Sequence, residues 1–445
     1  MATPQRDSPA PRTGEGAPDS AARRPPFSAN PEVGARGQRT QQRILDAALQ
    51  AFGQRGYHQT GVATITELAG CSRASFYQYF ASKEDVYRRL TGQVARQLGA
   101  SYESLRPLTA DLDGWQELRT WVGRQAEVYA RYEPVFTAFP AAAETDEVVA
   151  PGAVRTTERN VARFRARLTT VTMPPRRLDP VIRLLLECQF RTLETARVLR
   201  SAAPGAYATE RVEVAVTDVI HRTLFGRRDD VNVRPPSAGR PPRIDFGPDM
   251  RALLDRDATG PASSATTRRT REALLDAGRS VFLRLGYHRA RIDDVVAAAA
   301  VSHGTFYGYF PDKKHLAEAL GVPAIRQVST MLDDIPNVAD GGPEGPTALR
   351  RWLRRYNATY AAEAVMIRVW VDAELDSPVH EGDAAAAVEW GRRRIAQLLR
   401  SRGFGDVETE AVVMEALLSA FGARERSPAM VDAAAHAIER GLLGL

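Results

Sequence analysis

The sequence predicts an all-α protein built from two similar halves, and three observations carry that prediction. Apolar residues recur at helical spacing over most of the chain. No run of alternating β-branched residues predicts a strand. The stretch from Thr40 to Leu90 aligns without a gap with the stretch from Thr270 to Leu320, 230 positions further on. Hydrophobic residues are 44% of the 445 residues, which is enough for the cores of two or more domains.

The repeated stretch indicates one functional module present in duplicate, because its identities run through the whole segment in register. Where the two copies differ, the residues are often chemically similar, as at Ile44 and Leu274 or at Ser75 and Thr305. In the first copy the identical residues are Thr40, Leu45, Asp46, Ala47, Phe52, Gly56, Tyr57, His58, Ala69, Ser72, Phe76, Tyr77, Tyr79, Phe80, Lys83 and Leu90.

Each module opens with an amphipathic helix. In the first copy Ile44, Ala48 and Phe52 form one apolar stripe at intervals of four residues. Thr40 is predicted to cap the amino end of this helix. Gly56 is predicted to end it, since glycine readily adopts the left-handed conformation found at helix ends. The second copy repeats the pattern with Leu274, Leu275, Phe282 and Gly286.

Two short helices follow, over residues 63–70 and 73–80, with a tight turn from Gly70 to Ser72 between them. Two helices joined by a turn of three or four residues form a helix-turn-helix, whose second helix can enter the DNA major groove. The second copy places this pattern at 293–310. In the first copy we expect Ile65, Leu68, Ala69 and Phe76 to pack inside, and Arg73, Ser75 and Gln78 to face outward.

A further helix is predicted immediately after each helix-turn-helix. Ser82 or Asp312 would cap it, and its first turn holds Lys83 or Lys313. A helix amino terminus with a lysine beside it is a ready site for a DNA phosphate.

The module resembles the DNA-binding region of the tetracycline-repressor (TetR/AcrR) family of transcriptional regulators. The matching pattern is a helix ending in phenylalanine and Gly-Tyr, then Ile-x-x-Leu-Ala, then Ser-x-x-[ST]-Phe-Tyr-x-Tyr-Phe-x-x-Lys. The resemblance implies a helical ligand-binding and dimerisation region after each module. It also implies phosphate contacts for Tyr77 and Tyr307. Members of this family usually carry one module and form homodimers, so the duplication distinguishes this chain from the usual family pattern.

The resemblance and the repeat together predict six segments. They predict two tandem TetR-like halves, each a three-helix helix-turn-helix domain followed by a helical bundle, which form a pseudo-dimer. Residues 226–266, rich in proline, read as a linker in which Asp249 to Arg256 could form one short helix. The expected order is a disordered tail at 1–37, a DNA-binding domain at 38–98, a regulatory domain at 99–225, the linker, a second DNA-binding domain at 267–328 and a second regulatory domain at 329–445.

Charge and composition limit the functions that the chain can have. The net charge of +6 is compatible with nucleic-acid binding. Cys71 and Cys188 form neither a disulfide framework nor a metal motif, so we expect no metal and read Cys71 as a small hydrophobe, with a redox switch as the alternative. No nucleophile elbow, phosphate loop or paired acid and base is present, so we expect neither an enzyme nor a cofactor. We expect a cytoplasmic protein without a membrane partner, because the sequence has neither a signal peptide nor a spanning apolar run.

Aromatic residues cluster in both regulatory regions, where they indicate either an apolar effector pocket or plain helix core. We expect a small apolar effector of unknown identity. The candidate pocket residues are Trp115, Tyr129, Phe136 and Phe164 in the first half, and Trp352, Tyr356 and Trp370 in the second.

The exposed residues of the two modules differ. Arg73 could read guanine and Gln78 adenine, whereas His303 and Gly308 at the equivalent positions cannot make those contacts. Asp293 and Asp294 are expected to weaken binding near phosphate. The predicted DNA-facing residues are Thr40, Thr64, Ser72, Arg73, Ala74, Ser75, Tyr77, Gln78 and Lys83, with Thr270, Ser302, His303, Gly304, Thr305, Tyr307 and Lys313 in the second copy.

The sequence therefore predicts a sequence-specific DNA-binding regulator, a ligand-responsive repressor that reads an imperfect palindrome in a double-stranded DNA operator. Two alternatives stay open: a homodimer in which only the first module binds DNA, and a nonspecific architectural DNA-binding protein. The chain would accordingly be a pseudo-dimeric monomer or a homodimer.

Overall fold

The computed structural model describes residues 34–171, 173–202, 205, 207–228, 230–231, 264–336, 345–375, 383–424 and 427–445. Every named element in these ranges is a helix, and the only strand-like pairing there is an isolated bridge between Leu108 and Leu168. The prediction of an all-α chain is confirmed. The predicted short helix at Asp249 to Arg256, most of the linker and the first 33 residues of the tail lie outside the described residues.

The helices follow the predicted tandem order. The first half contains α1 (Ala35–Gln59), α2 (Val62–Ala69), α3 (Arg73–Tyr79), α4 (Lys83–Glu103), α5 (Leu112–Thr145), α6 (Val149–Arg165), α7 (Pro175–Ala202) and α8 (Thr209–Phe225). The second half contains α9 (Ala265–Arg289), α10 (Ile292–Ala299), α11 (His303–Tyr307), α12 (Lys313–Asp333), α13 (Gly345–Leu375), α14 (Asp383–Arg400), α15 (Val407–Gly422) and α16 (Pro428–His436), which continues as a π-helix (Ala437–Leu442). By its internal contacts the chain divides into two compact units, residues 1–90 and 91–445.

The first unit is a small helical domain around one aromatic core. Phe52 of α1, Phe76 of α3 and Phe80 are buried together with Ile44 and Ile65. Gly56 has a positive φ of 73° and interrupts α1 as the sequence predicts, although its ψ of 164° is extended and not left-handed helical. Thr60 then donates to the Gly56 carbonyl at 2.7 Å and fixes the chain reversal into α2.

Two details of the first unit differ from the sequence predictions. Thr40 is not a helix cap, because α1 begins at Ala35 and the Thr40 hydroxyl donates to the Arg36 carbonyl within the helix. Thr270, the equivalent residue in the larger unit, likewise lies inside its helix, which Ser264 caps. Leu68 is 41% exposed, because its position on the two-turn helix α2 faces away from the core.

The turns inside the two helix-turn-helix motifs share one backbone conformation but not one residue type. Gly70 and Ala300 both cap their helices in the left-handed region, with φ of 59° and 55°. A Cβ built on Gly70 meets nothing within 4 Å. A side chain at this position would therefore be unfavourable because of the backbone conformation and not because of a steric clash. An alanine in this region is strained relative to glycine.

We expect Ala300→Gly to stabilise the second DNA-binding domain by about 0.5–1 kcal/mol, because it relieves that strain. Gly70→Ala should destabilise the first domain by a similar amount. Denaturant unfolding, with hydrogen exchange to assign the affected domain, measures both. Ala298→Gly, on a helical residue of α10, is the matched control and should cost roughly 1 kcal/mol. A loss of stability in Ala300→Gly would contradict the expectation.

The second helix-turn-helix belongs to the larger unit. Its core repeats that of the first copy, with Leu274, Phe282, Val295 and Phe306 buried. It also packs against α13 through Met366, Val369 and Ala373, which are part of the same hydrophobic cluster.

The helices after each module are longer than the sequence indicates. Proline in the interior of a helix usually breaks it, yet α5 continues through Pro134 to Thr145 with a kink at Tyr132. The proline removes one hydrogen bond and crowds the preceding turn, which accounts for the kink at Tyr132. Likewise α13 is one continuous helix of 31 residues.

A second, weaker repeat becomes visible once the helices are known. Leu118, Arg119 and Trp121 on α5 match Leu349, Arg350 and Trp352 on α13, 231 positions further on. Both leucines and both tryptophans are fully buried. At the end of each half, residues 219–226 (VIHRTLFG) match residues 437–444 (AIERGLLG), but 218 positions apart. The duplication therefore extends through the regulatory region, with a shortening between these two markers.

The two regulatory regions share one core inside the larger unit. Helices α7 and α8 of the first half pack against α15, α16 and the π-helix of the second, and one hydrophobic cluster includes residues of both. Such a four-helix contact is the one that the resemblance implies between two subunits. Here both sides belong to a single chain.

A buried charged cluster lies in this contact. Glu410 of α15 is fully buried, and it accepts from Arg222 of α8 at 2.5 Å and pairs with Arg402 at 2.7 Å. Asp218 lies 3.8 Å from Arg222 and accepts from the Trp115 indole at 2.8 Å. Burial raises the pKa of Asp218 to about 6.

Candidate nucleic-acid interface

Helix α3 presents a short polar face at the surface of the first unit. Ser72 caps it, since its Oγ accepts from the Ser75 amide at 3.0 Å. Arg73, Ala74 and Gln78 are exposed and Ser75 is half-buried. The cap orders the first turn, which is the part of a recognition helix that meets base edges.

Phe76 fixes the rotation of α3. Its ring is fully buried and lies 5.8 Å from the ring of Phe80, so the opposite side of the helix must face solvent. Tyr77, the next residue, is 45% exposed and packs edge-on against Phe76 with ring centroids 5.4 Å apart. The exposed residues Arg73, Ala74 and Gln78 form the reading face of α3. The arrangement of Tyr77 holds its hydroxyl beside this face, where it can contact a phosphate.

The second copy repeats this geometry. Ser302 accepts from the Thr305 amide at 3.0 Å, and Tyr307 is 54% exposed and edge-on to the buried Phe306. His303 and Gly304 are exposed, and Thr305 is half-buried. The helix is shorter, because α11 ends at Tyr307, two residues before the position equivalent to the end of α3. Gly308, with low helix propensity, stands where the first copy has Gln78.

The predicted phosphate lysines hold the modules together internally. The Lys83 ammonium donates to the Tyr57 carbonyl at 2.8 Å and lies 4.3 Å from the centre of the Tyr57 ring. Lys313 makes the same bond to the Tyr287 carbonyl at 2.7 Å. Burial lowers the pKa of Lys83 from its ordinary value. Each lysine joins the start of one helix to the end of another, a role that the sequence pattern did not reveal.

Three predicted threonines lie outside the helices α3 and α11. Thr64 is half-buried in the first turn of α2. Thr40 and Thr270 lie on the first helix of each module, and their hydroxyls are bonded to carbonyls four residues earlier.

The comparisons with known proteins fall on these two modules. The model of bacterial regulatory proteins of the tetR family matches residues 44–90 and again residues 274–320. Both modules therefore match the tetR family. Each match covers the helix-turn-helix and the start of the helix after it, so the chain carries two copies of the family's DNA-binding domain.

Curated relatives match over one module only. The HTH-type transcriptional regulator RutR of Escherichia coli is 41% identical over 71 residues, which are 15% of this chain and 34% of that protein. The HTH-type transcriptional regulator YdgC of Bacillus subtilis is 36% identical over 70 residues, 16% of this chain and 36% of that protein. The fatty acid metabolism regulator protein of the same species is 42% identical over 43 residues, which are 10% of this chain and 22% of that protein. The chain thus spans about a third or less of these relatives.

The second TetR-type domain differs in the charge of its reading face. His303 Nε2 lies 2.6 Å from an oxygen of Asp293 on α10, and both side chains are exposed. Asp294 accepts from the Arg291 amide at 2.9 Å and thereby caps α10. The first domain has Ala63 and Thr64 at these positions. A carboxylate therefore stands beside the residue that replaces Arg73, in a place where DNA would bring negative charge.

The predicted pocket residues of the first TetR-type half lie in the helix core. Phe164 is buried and packs on Trp121 with ring centroids 5.2 Å apart. Tyr129 is buried next to Phe136, 5.1 Å away. Trp115 does not join them, because its indole donates to Asp218 of the buried charged cluster.

The second-half residues are equally enclosed. Trp352 donates to the Met331 carbonyl at 2.9 Å and stacks on Tyr356 with ring centroids 5.2 Å apart. Trp370 lies in a separate cluster with Val322 and Ala387. The structure thus divides these three residues between two groups.

Several buried polar atoms of the regulatory regions have no counterpart among the sequence predictions. Trp121 Nε1, Gln125 Oε1 and both side-chain heteroatoms of Gln189 are buried and have no hydrogen-bond partner in the described structure. In the second half, Oε2 of Glu415 is in the same situation, and burial raises the pKa of this carboxyl well above its ordinary value. The helical spacing of Trp121 and Gln125 was the available signal, since four residues place both on one face.

Other kinds of site find little support among the described residues. No three His, Cys, Asp or Glu side chains there are grouped as a metal site would need. No described helix is long and apolar enough to cross a membrane. Burial is the main effect on Cys71 and raises its pKa, which disfavours the reactive thiolate that a redox switch would need.

Proposed function

We propose that the chain is a ligand-responsive repressor that uses its two DNA-binding domains as one unit on an imperfect palindrome. The observation that carries this proposal is the repeated reading face with different residues. Ser72 and Ser302 cap equivalent helices and Phe76 and Phe306 orient them, whereas the exposed residue after each cap is Arg73 or His303.

The contact between the regulatory regions supports pairing within one chain. Helices α7 and α8 pack on α15 and α16, so the surfaces that would join two subunits are already occupied by each other. A pair of helix-turn-helix domains related by a twofold axis reads half-sites about 34–36 Å apart or a multiple of that distance. Two different reading helices then favour two different half-sites.

The test is a binding titration on DNA fragments selected from the source genome. We expect Arg73→Ala to weaken binding to the preferred site by about 1–3 kcal/mol and to relax preference at one base pair, because a guanine loses its paired donors. His303→Ala should act on the other half-site with a smaller effect. Arg155→Ala, an exposed arginine on α6, is the matched control and should leave binding unchanged. Footprints that show one chain on a strictly symmetric site would contradict the proposal.

A small apolar effector is the proposed signal. Aromatic rings and unpartnered polar atoms of Trp121 and Gln125 lie in the same helix core, and a ligand that satisfied them would favour its own conformation. Release of DNA requires only that the ligand prefer the conformation that does not bind. A candidate compound should therefore raise the Tm and weaken operator binding together.

A second function is favoured by the Asp293–His303 pair and by Gly308. In this alternative only the first domain binds DNA, and two chains associate to supply two copies of it. Light scattering separates one chain from two, and the alternative predicts that His303→Ala leaves DNA affinity unchanged while Arg73→Ala abolishes preference. A steep salt dependence with no preferred sequence would instead favour a nonspecific architectural role.

A further inference from the structure

The ends of the two halves meet at equivalent residues. In the match of residues 219–226 with 437–444, Thr223 corresponds to Gly441. Both segments end in a glycine with positive φ, Gly226 at 86° and Gly444 at 72°, which supports this register. A residue that touches its own counterpart lies on the twofold axis of a dimer. Thr223 and Gly441 do touch, so the internal axis of this chain passes between them.

The contact at that point tolerates only one side chain. A Cβ built on Gly441 would lie 2.1 Å from the Thr223 hydroxyl oxygen and 2.9 Å from the Val219 carbonyl oxygen. Thr223 is itself fixed, because its hydroxyl donates to that carbonyl at 2.6 Å. A first half facing a copy of itself would place two threonines at this point. A second half facing its copy would place two glycines there and leave a gap.

The charges around the axis are divided between the halves in the same way. Arg222 of α8 is fully buried and donates to the Gly441 carbonyl at 2.7 Å and to Glu410. Arg211 donates to Asp406 at 2.8 Å, and Arg424 donates in the opposite direction to Glu187 at 2.7 Å. Each pair takes one member from each half. Pairing of a half with its own copy would separate all three pairs and leave the buried Arg222 without Glu410.

We propose that the interface between the two halves favours the pairing of unlike halves. Thr223 and Gly441 on the internal axis, together with the Arg222–Glu410 pair, make each half bind the other half and not a copy of itself. The partner recognised by the α7–α8 surface is therefore the α15–α16 surface of the same chain. This inference rests on the single-chain pairing proposed above. Its test uses folding and mass instead of DNA binding, so either proposal can fail alone.

The experiment is an exchange of the two residues in the full chain, followed by thermal unfolding. We expect Gly441→Thr to lower the Tm by about 3–10 °C through overcrowding. Thr223→Gly combined with Gly441→Thr should recover at least half of that loss, since the bulk moves to the other side of the axis. Gly123→Thr, on a helical glycine of α5 with no contact closer than 3.7 Å, is the control for helix propensity.

Light scattering gives the second readout. The natural chain should remain one chain per particle as its concentration rises, and Gly441→Thr should begin to associate. Where Gly441→Thr does not fold, Gly441→Ala with and without Thr223→Gly provides the same comparison. Strictly additive effects of the two substitutions would overturn the proposal. So would a natural particle of two chains whose mass Gly441→Thr does not change.

Discussion

Glu410→Gln should lower the free energy of unfolding of the larger unit by about 3–5 kcal/mol, because it removes the carboxylate from a buried charged cluster. Arg222 and Arg402 both pair with Glu410, and their side chains are 0% and 1% exposed. After the substitution two buried guanidinium groups would face a neutral amide. The cost is that of uncompensated buried charge, which exceeds the gain from making an exposed pair.

Urea unfolding followed by circular dichroism measures this effect at neutral pH. Glu158→Gln is the matched control, since Glu158 pairs with Arg183 at 2.7 Å on the surface, where its side chain is 53% exposed. That substitution should cost less than about 1 kcal/mol. A loss in Glu410→Gln no larger than in Glu158→Gln would show that the cluster is dispensable for stability.

Phe76→Ala and Phe306→Ala should each destabilise one DNA-binding domain by about 3–5 kcal/mol and leave the other intact. Both rings are fully buried and each lies 5.8 Å from a second phenylalanine, Phe80 or Phe310. Removal leaves a cavity under the recognition helix. Hydrogen exchange should show lost protection confined to residues 62–80 in one variant and 292–310 in the other.

Footprinting of the same variants then assigns the half-sites. Phe76→Ala should erase protection at one half-site, and Phe306→Ala at the other. Tyr77→Ala and Tyr307→Ala are the controls for stability, because these exposed neighbours should change it by less than about 0.5 kcal/mol. If Phe306→Ala leaves the whole footprint unchanged, the second domain does not contribute to DNA binding.

The DNA-binding domains were predictable from the sequence because local rules act there without conflict. Serine caps, the apolar stripe and Gly56 each favour the observed structure independently. Thr40 was misplaced as a cap because residues 35–39 include no large apolar side chain, so the first turn of the helix shows no apolar periodicity. Leu68 was misplaced because α2 makes only about two turns, so a small error in helical phase moves a residue from core to surface.

Contacts between distant residues were not predictable in this way. The Asp293–His303 pair and the Lys83 bond to Tyr57 depend on side-chain directions that spacing along the chain does not encode. The pairing of Thr223 with Gly441 escaped notice for another reason. Its repeat interval is 218 residues where the DNA-binding modules repeat at 230, so a search at one fixed interval passes over it.

The covalent connection between the two halves changes how their pairing depends on protein concentration. Regulators that assemble from separate subunits lose their partners on dilution, and the amount of competent dimer then varies with the square of the subunit concentration. In this chain α8 and the π-helix meet intramolecularly, so their association does not depend on protein concentration. Under the proposed binding of an operator by one chain, operator occupancy at low concentration should follow copy number linearly.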